Sequence, residues 1–237
     1  MSPRDRAVFW DFDGTLAVRE GRWSGALLDA WRLIDPTTSA TADHLRPHLQ
    51  SGFPWHDADT TREAPSAAEW WAALRPMFVA AYTANGLDSE RADAAAARVP
   101  DQYYQPDTWS VVSGAEEALR LVRDAGYRNI ILSNHAPELP ELVRALGLAD
   151  LVEMTITSAC VGAEKPNPAI FRYATKAAGL TNTGTAWMVG DNPIADVQGA
   201  LNAGIRAILA DGGEPGRGGM TVVEAAHHIR SHRPTTH

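Results

Sequence analysis

The sequence predicts an α/β protein whose core is a doubly wound parallel sheet. Short apolar runs alternate with segments of helical character along much of the chain, and this alternation is typical of right-handed βαβ units. Three of the apolar runs are uninterrupted, which is the pattern of strands covered by helices on both faces. A long helical stretch after the first run predicts that a small α-helical domain is inserted into this core.

Five apolar runs are the predicted strands of the sheet. They are Ala7–Trp10, Asn129–Leu132, Val152–Ile156, Ala186–Val189 and Ile205–Leu209. The first, second and fourth of these are the uninterrupted ones. Each has the length of a buried strand and is too short for a core helix.

Prolines and glycines mark where the helices between the later strands begin and end. Asn167–Pro168 and Asn192–Pro193 each place an N-cap residue before a proline at the first helical position. Ser113 and Glu116 have the spacing of a capping box. Four glycines can end helices in the left-handed conformation, namely Gly126, Gly147, Gly179 and Gly204.

Residues 17–108 interrupt the alternation, because they contain no convincing strand. The predicted helices of this insert are Trp23–Ile34, Thr41–Leu49, Ser66–Ala84 and Ser89–Val99. Ser66 and Glu69 form a capping-box pattern, and Pro76 could kink or divide the helix that follows. We therefore predict an α/β core domain from 1–16 and 109–237, and a helical domain from 17–108.

Composition limits the class of protein. The chain has 237 residues, of which 45% are hydrophobic and 21% charged, so it can bury a full core. A net charge of −8 without a basic stripe argues against nucleic-acid binding. The single cysteine, Cys160, forms no internal disulfide, and neither a signal-like start nor a membrane-spanning run is present. We expect a soluble cytoplasmic protein without a membrane partner, and a fraying tail from His227 to His237.

The run Asp11-Phe12-Asp13-Gly14-Thr15 follows the first predicted strand directly. Ligands of open α/β sheets bind at the carboxyl ends of the strands, and Gly14 permits a sharp turn that could bring both carboxylates to one cavity. An ordinary acidic turn or a calcium loop is the alternative. A calcium loop of the EF-hand type needs a glutamate at its twelfth position, where this chain has Arg22.

Three further polar groups lie at strand ends or before helices. Ser133-Asn134 ends the second strand, where a hydroxyl and backbone amides suit a phosphate oxygen, although such residues are also common in turns. Lys165 precedes a predicted helix and could offset the charge of a carboxylate and a phosphate. Asp191 and Asp196 follow the fourth strand, and hard carboxylates suit magnesium, although both could serve the helix alone.

Taken together, these four motifs in this order resemble the haloacid dehalogenase superfamily, whose members are mostly phosphatases. The resemblance covers residues 7–16 and 109–210, and it implies a Rossmann-like core with the insert as a cap domain. By the resemblance, Asp11 is the nucleophile that forms an aspartyl-phosphate, and Asp13 is the general acid and base.

The resemblance also implies the remaining roles. The side chains of Asp11 and Asp191, with the backbone carbonyl of Asp13, would bind Mg²⁺. Ser133, the amide of Asn134 and Lys165 would hold the phosphoryl oxygens, and Thr15 would support the loop around them. The supporting residues would be Asp196, which binds the metal through water or orients Lys165, and Asn192.

Asp13 separates the reactions of this superfamily. Dehalogenase members lack an acid at this position, because halide leaves without a proton, so Asp13 favours a phosphatase that cleaves a small phosphomonoester. A 2-haloacid dehalogenase, a phosphomutase and a non-catalytic binding protein are the alternatives. Candidates for substrate contact are Arg19, Arg22, His56 and His135. The identity of the phosphorylated metabolite and the oligomeric state are left open.

Overall fold

Seven strands form two sheets among residues 5–213 and 218–232, which are the residues that this computed structural model describes. The strands are β1 (Ala7–Trp10), β2 (Ala17–Arg19), β3 (Trp109–Val111), β4 (Arg128–Ser133), β5 (Met154–Thr157), β6 (Ala186–Gly190) and β7 (Arg206–Leu209). Five of them form a parallel sheet in the order β5-β4-β1-β6-β7. The strands β2 and β3 pair in a separate small sheet.

The three inner strands β4, β1 and β6 contain the three runs that the sequence predicts to be covered on both faces. Every residue of β1 and β6 is buried, whereas the edge strands β5 and β7 are only partly buried. Trp10 at the end of β1 lies opposite Ile131 on one side and Val189 on the other. The residues that follow β1, β4 and β6 therefore emerge at one edge of the sheet.

The chain divides into two compact units. The first contains residues 5–18, 58–64, 110–213 and 218–232, and the second contains Arg19–Asp57 and Pro65–Trp109. Residues 58–64 lie inside the predicted insert of residues 17–108 but cluster with the first unit. Two short 3₁₀ helices, Arg46–Leu49 and Pro54–Asp57, accompany the α-helices of the second unit. Those α-helices are α1 (Arg22–Ile34), α2 (Ala42–Leu45), α3 (Ala67–Ala84), α4 (Ser89–Ala96) and α5 (Val99–Tyr103).

The first unit supplies the helices that cover the main sheet. They are α6 (Ala115–Asp124), α7 (Leu139–Ala145), α8 (Ser158–Val161), α9 (Pro168–Ala177), a π-helix (Pro193–Gln198), α10 (Gly199–Asn202) and α11 (Val222–Ser231). Three more 3₁₀ turns occur at Pro106–Thr108, Ala149–Leu151 and Thr183–Thr185. On one face, Phe9, Ile130 and Met188 of the strands pack with Ile170 and Phe171 of α9. Burial of each such large side chain stabilises the fold by roughly 1.5–3 kcal/mol.

Some predicted helix ends are confirmed. Ser66 and Glu69 form the reciprocal capping box of α3, and α3 continues through Pro76 without dividing. Asn167 caps α9 with Pro168 at its start, and Asn192 caps the π-helix in the same way. The glycines at the predicted helix ends all adopt positive φ.

Other local predictions are wrong, and each has a physical reason. The Ser113–Glu116 capping box does not form, because α6 begins at Ala115 after a left-handed Gly114. The strand β2 lies in the stretch where the sequence predicts no strand. Its three residues form a strand only because they pair with β3, which lies far along the chain. The single cysteine, Cys160, is exposed.

Two predicted helices and the predicted tail differ from the structure. The predicted helices 41–49 and 89–99 each divide into two shorter segments. The predicted fraying tail is helical in α11 up to Ser231, because Val222 and Ile229 are buried; residues 233–237 lie outside the described residues. Within residues 5–213 and 218–232, no helix combines the length and the apolar character that a membrane crossing requires.

Candidate active site

The loop after β1 turns sharply around the carbonyl of Phe12. The backbone N–H of Asp11 still donates to Val189 at 2.8 Å, and the N–H groups of Thr15, Leu16 and Ala17 then all donate to Phe12 at 3.0–3.2 Å. Asp11 is buried and Asp13 half-buried. The local hydrogen bonds therefore hold both acidic residues of the motif in one tight turn at the carboxyl end of β1.

Gly14 makes this turn possible in two ways. Its φ of 89° lies in the left-handed region, which side chains rarely adopt. A Cβ atom at this position would also lie 2.5 Å from Oδ2 of Asp191. The backbone of the first motif thus approaches the fourth motif so closely that only glycine fits without displacing Asp191.

Lys165 joins two of the predicted acidic residues. Its Nζ donates to Oδ1 of Asp11 at 2.8 Å and to Oδ1 of Asp196 at 2.5 Å, and its side chain is 2% exposed. Burial by itself lowers the pKa of Lys165, but the negative charges of Asp11 and Asp196 outweigh it and raise the pKa above its ordinary value. Lys165 therefore stays charged as it bridges the first and fourth motifs.

Asp196 lies in the π-helix that follows β6, and contacts with both elements fix the position of its carboxylate. Its Oδ2 accepts a hydrogen bond from the backbone N–H of Asn192 at 3.0 Å, while the side chain of Asn192 caps the helix by accepting from Ile194 and Ala195. A Cβ atom at Gly190 would overlap the Asp196 carboxyl. Burial raises the pKa of Asp196, the Lys165 charge opposes this, and the Asp11 charge adds to it.

Three carboxylates in this region could hold a cation. Asp11, Asp191 and Asp196 each offer an oxygen, and these atoms all lie within 4.8 Å of one another. With the ammonium of Lys165, the cluster carries two net negative charges when its carboxylates are ionised, and a hard divalent ion would balance them. Both carboxylate oxygens of Asp196 already accept hydrogen bonds, from Lys165 and from the backbone of Asn192.

The residues after β4 lie beside this cluster. Ser133 is buried at the end of the strand. The side chain of Asn134 makes two hydrogen bonds to the backbone of Lys165, accepting from its N–H at 2.6 Å and donating to its carbonyl at 2.9 Å. The sequence predicts a phosphate contact for the backbone amide of Asn134, but it gives no sign that the Asn134 side chain binds the backbone of Lys165.

His135 and Thr15 are enclosed more completely than the sequence suggested. His135 is 2% exposed, its backbone N–H donates to Oγ of Ser158 at 3.0 Å, and its ring meets Phe12 edge-on. Burial lowers the pKa of His135 to about 4, so its ring is neutral near pH 7. The Thr15 hydroxyl is fully buried and has no hydrogen-bond partner among the described residues.

The other candidates for substrate contact lie in the second unit. Arg19 is buried and donates to Asp29 at 2.6 Å and to the carbonyls of Glu20 and Gln102, so the structure gives it a structural role in place of the predicted substrate contact. Arg22 is exposed at the start of α1. His56 is exposed too, and its Nδ1 accepts from the N–H of Phe53 at 3.3 Å.

The sequence did not indicate that the acid next to Lys165 is buried. Glu164, next to Lys165, is 4% exposed, and its Oε2 has no hydrogen-bond partner among the described residues. Burial raises the pKa of Glu164 to about 7, although Ser158 and the charges of Arg62 and Lys165 oppose this. A glutamate in a polar loop is usually exposed to solvent, and nothing in the sequence around Glu164 indicates that its side chain is buried.

The site is thus a lysine that bridges two carboxylates at the strand ends of a doubly wound parallel sheet. Comparison with known families agrees: a model described as haloacid dehalogenase-like hydrolase matches residues 6–204. The chain therefore belongs to the haloacid dehalogenase-like hydrolase family.

Individual relatives differ in how much of the chain they share. The human haloacid dehalogenase-like hydrolase domain-containing protein 3 is 31% identical over 223 residues, which cover 87% of this chain and 82% of that protein. The match to its mouse counterpart, 30% identical, covers only 59% of that protein and 63% of this chain. A phosphoserine phosphatase of Thermus thermophilus is 41% identical over 100 residues, which cover 42% of this chain and 40% of that protein.

A solved structure shares the fold over almost the whole chain. The putative HAD-hydrolase YfnB from Bacillus subtilis, whose structure was determined bound to magnesium, superposes with a TM-score of 0.69. The match covers 96% of this chain and 99% of that one, at 18% sequence identity. At this identity the likeness shows the common fold.

Proposed function

We propose that the protein is a magnesium-dependent phosphatase that cleaves a small phosphomonoester through an aspartyl-phosphate on Asp11. The observation that carries this proposal is Lys165, whose buried ammonium bonds to Asp11 and Asp196 at once, with Asp191 beside them. A charged lysine and several acidic oxygens at strand ends suit an anionic substrate and a cation together. The named phosphatase among the relatives supports the same reaction.

In the proposed reaction, Asp11 and Asp13 divide the work. An oxygen of Asp11 forms a bond to phosphorus as the bond to the leaving oxygen breaks, and Asp13 gives that oxygen its proton. Asp13 then takes a proton from water, which attacks phosphorus and releases inorganic phosphate and the Asp11 carboxylate. The buried Lys165 holds the Asp11 carboxylate in one orientation and offsets part of the substrate's charge.

The remaining residues of the loop would bind the phosphoryl group and the ion. Ser133 and the backbone amide of Asn134 would donate to the phosphoryl oxygens, with Thr15 supporting the turn. Asp11 and Asp191 would hold Mg²⁺ with the backbone carbonyl of Asp13, and the ion would supply positive charge that reduces repulsion between nucleophile and substrate. Asp196 and Asn192 would orient Lys165 and the helix start.

The helical insert is proposed to act as the cap that selects the substrate, with Arg22, His56 and, in the first unit, His135 as the remaining candidates for contact. A cap of this kind suits a small phosphorylated metabolite better than a folded phosphoprotein. We propose that the protein acts in the cytoplasm.

Paired asparagine substitutions test the reaction. Asp11→Asn should lower turnover of p-nitrophenyl phosphate by about 10³-fold or more, because no nucleophile remains. Asp13→Asn should lower steady-state hydrolysis of an alkyl and of the aryl phosphate by about 10²–10⁴-fold, because Asp13 also activates the water that cleaves the common aspartyl-phosphate. Only the first step, which releases the leaving group, should be slowed less for the aryl phosphate, because an aryl leaving group needs little help from an acid. Magnesium chelation should stop both reactions.

The outcomes separate the alternatives. Full activity in Asp11→Asn would exclude Asp11 as the nucleophile. Halide release from a 2-chloroalkanoate, without any phosphate release from phosphomonoesters, would instead identify a dehalogenase. A screen of phosphorylated metabolites at fixed Mg²⁺ would then identify the leaving group.

A further inference from the structure

Residues 58–64, here called the strap, belong to the first unit although the chain on both sides of them belongs to the second. The strap lies along the loop 162–167, which carries Lys165. The backbone N–H of Arg62 donates to the carbonyl of Gly162 at 2.7 Å. At the other end of the loop, Nδ2 of Asn167 donates to the carbonyls of Ala58 at 2.9 Å and Asp59 at 3.2 Å.

Gly162 shows how closely the strap approaches the loop. A Cβ atom at this position would overlap the carbonyl oxygen of Arg62, and Gly162 has a φ of 74°. A side chain here would therefore displace the strap as well as strain the turn. The contact depends on glycine at the residue where α8 ends.

The opposite side of the loop is held by the main sheet. Asn134, just after β4, accepts from the Lys165 N–H and donates to the Lys165 carbonyl. Glu164 is buried, and the positive charge of Arg62 acts on it. The backbone of Lys165 is thus anchored to a strand end, and the two ends of its loop are anchored to the strap.

We propose that the strap is a positioning element for Lys165, and that Asn167 is the residue through which it acts. Asn167 uses its two side-chain atoms for different tasks: Oδ1 accepts from Ala169 to cap α9, whereas Nδ2 holds the strap. The bonds from Lys165 to Asp11 and Asp196 measure 2.8 and 2.5 Å. A displacement of the loop by about 1 Å would break them and lower catalysis by about 10²-fold.

The substitution Asn167→Asp separates the two tasks. Aspartate keeps the oxygen that caps α9, but it removes the donor and places a negative charge against two carbonyl oxygens. Asn182→Asp is the matched control, because Asn182 is exposed and its Oδ1 caps a short turn by accepting from Gly184 at 2.9 Å. In both variants a side-chain amide becomes a carboxylate, and the oxygen that caps the following turn is kept.

A spectroscopic signal reports on Lys165 without any activity assay. The chain has two lysines, Lys165 and the exposed Lys176, so protein labelled with [¹³C]lysine gives two sets of side-chain signals. Asn167→Asp should move the Lys165 ε-methylene signals toward those of Lys176, which serve as an internal reference. Asn182→Asp should leave both sets unchanged. Unchanged Lys165 signals in Asn167→Asp would overturn the proposal.

Turnover supplies the second readout, and this part rests on the proposed phosphatase function. Asn167→Asp should lower kcat for p-nitrophenyl phosphate at least tenfold while melting stays close to that of Asn182→Asp. A kcat within twofold of the wild type would overturn the catalytic part. If the wild-type protein hydrolysed no phosphomonoester, the proposed function would fail, and the lysine signals would still decide on the strap.

A second pair of variants tests the strap from its other end. Gly162→Ala adds a methyl group against Arg62, whereas Gly147→Ala adds one at a similar φ of 77° with nothing within 4 Å. Both substitutions place a side chain at a similar positive φ, so the difference between them reports on the contact with the strap. The proposal requires displaced Lys165 signals in Gly162→Ala only; the same spectrum in both variants would contradict it.

Discussion

Glu164→Gln should stabilise the protein at pH 8 and leave its stability almost unchanged near pH 4.5. The carboxyl of Glu164 is 4% exposed, and burial raises its pKa from 4.5 to about 7. The folded state thus binds this proton more tightly than the unfolded state does, so the free energy of unfolding falls as pH rises through the window from about 4.5 to 7. At about 1.4 kcal/mol per pKa unit, the full penalty above pH 7 is about 3 kcal/mol.

Glutamine has nearly the same shape but cannot ionise, so it removes this penalty. Urea unfolding followed by tryptophan fluorescence, at pH 5 and pH 8, measures the difference between variant and wild type. We expect that difference to favour the variant by about 2–3 kcal/mol more at pH 8 than at pH 5. Glu117→Gln, on the exposed face of α6, is the control and should behave alike at both pH values. An equal effect of Glu164→Gln at both pH values would refute the reasoning.

Three further predictions concern the turn, the buried histidine and the second unit. Gly14→Ala should lower turnover by about 10²-fold or more and weaken Mg²⁺ binding in a calorimetric titration, because its Cβ would displace Asp191; wild-type Mg²⁺ affinity would contradict this. His135 should show no protonation between pH 5.5 and 8 in ¹⁵N spectra, since its pKa is about 4; a midpoint near pH 6.5 would exclude the buried neutral ring. Arg19→Met should cost about 3 kcal/mol in urea unfolding, because it leaves an acidic partner and several carbonyls without their donor, whereas Arg172→Met, at an exposed position of α9, should change stability by less than about 0.5 kcal/mol. A similar cost for both arginines would contradict the assigned role.

The sheet could be predicted because burial on both faces leaves a direct trace in the sequence. A strand covered on both sides has few positions for polar residues, so β1 and β6 read as apolar runs and β4 contains the apolar run Ile130–Leu132. The short strand β2 left no such trace. Its three residues become a strand only through pairing with β3, which is about ninety residues away.

The residues of the candidate site could be predicted for a related reason. Parallel strands bring their carboxyl ends to one edge, so polar groups that follow β1, β4 and β6 must gather there. The roles of individual side chains in the surrounding structure could not be predicted. Arg19 and Glu164 are charged residues of the kind usually found on the surface. They are buried by segments that are distant in the sequence and contact them only in the folded protein.

The position of β1 in the middle of the sheet has a consequence for synthesis of the chain. β1 leaves the ribosome before both of its partner strands, because Ala7 pairs with Arg128 on one side and Ala186 on the other. At about 5–20 residues per second, β6 follows roughly ten to forty seconds later. During that interval an apolar strand has two unpaired edges, which favours aggregation.

The acidic turn that follows β1 opposes this hazard. Asp11 and Asp13 stand directly after the apolar run, and Asp5 and Arg6 stand directly before it. Charges on both sides of an apolar segment disfavour its stacking with other copies. The carboxylates proposed for catalysis would thus also keep the nascent chain soluble until its partner strands arrive, so substitutions that neutralise them are expected to reduce soluble yield as well as activity.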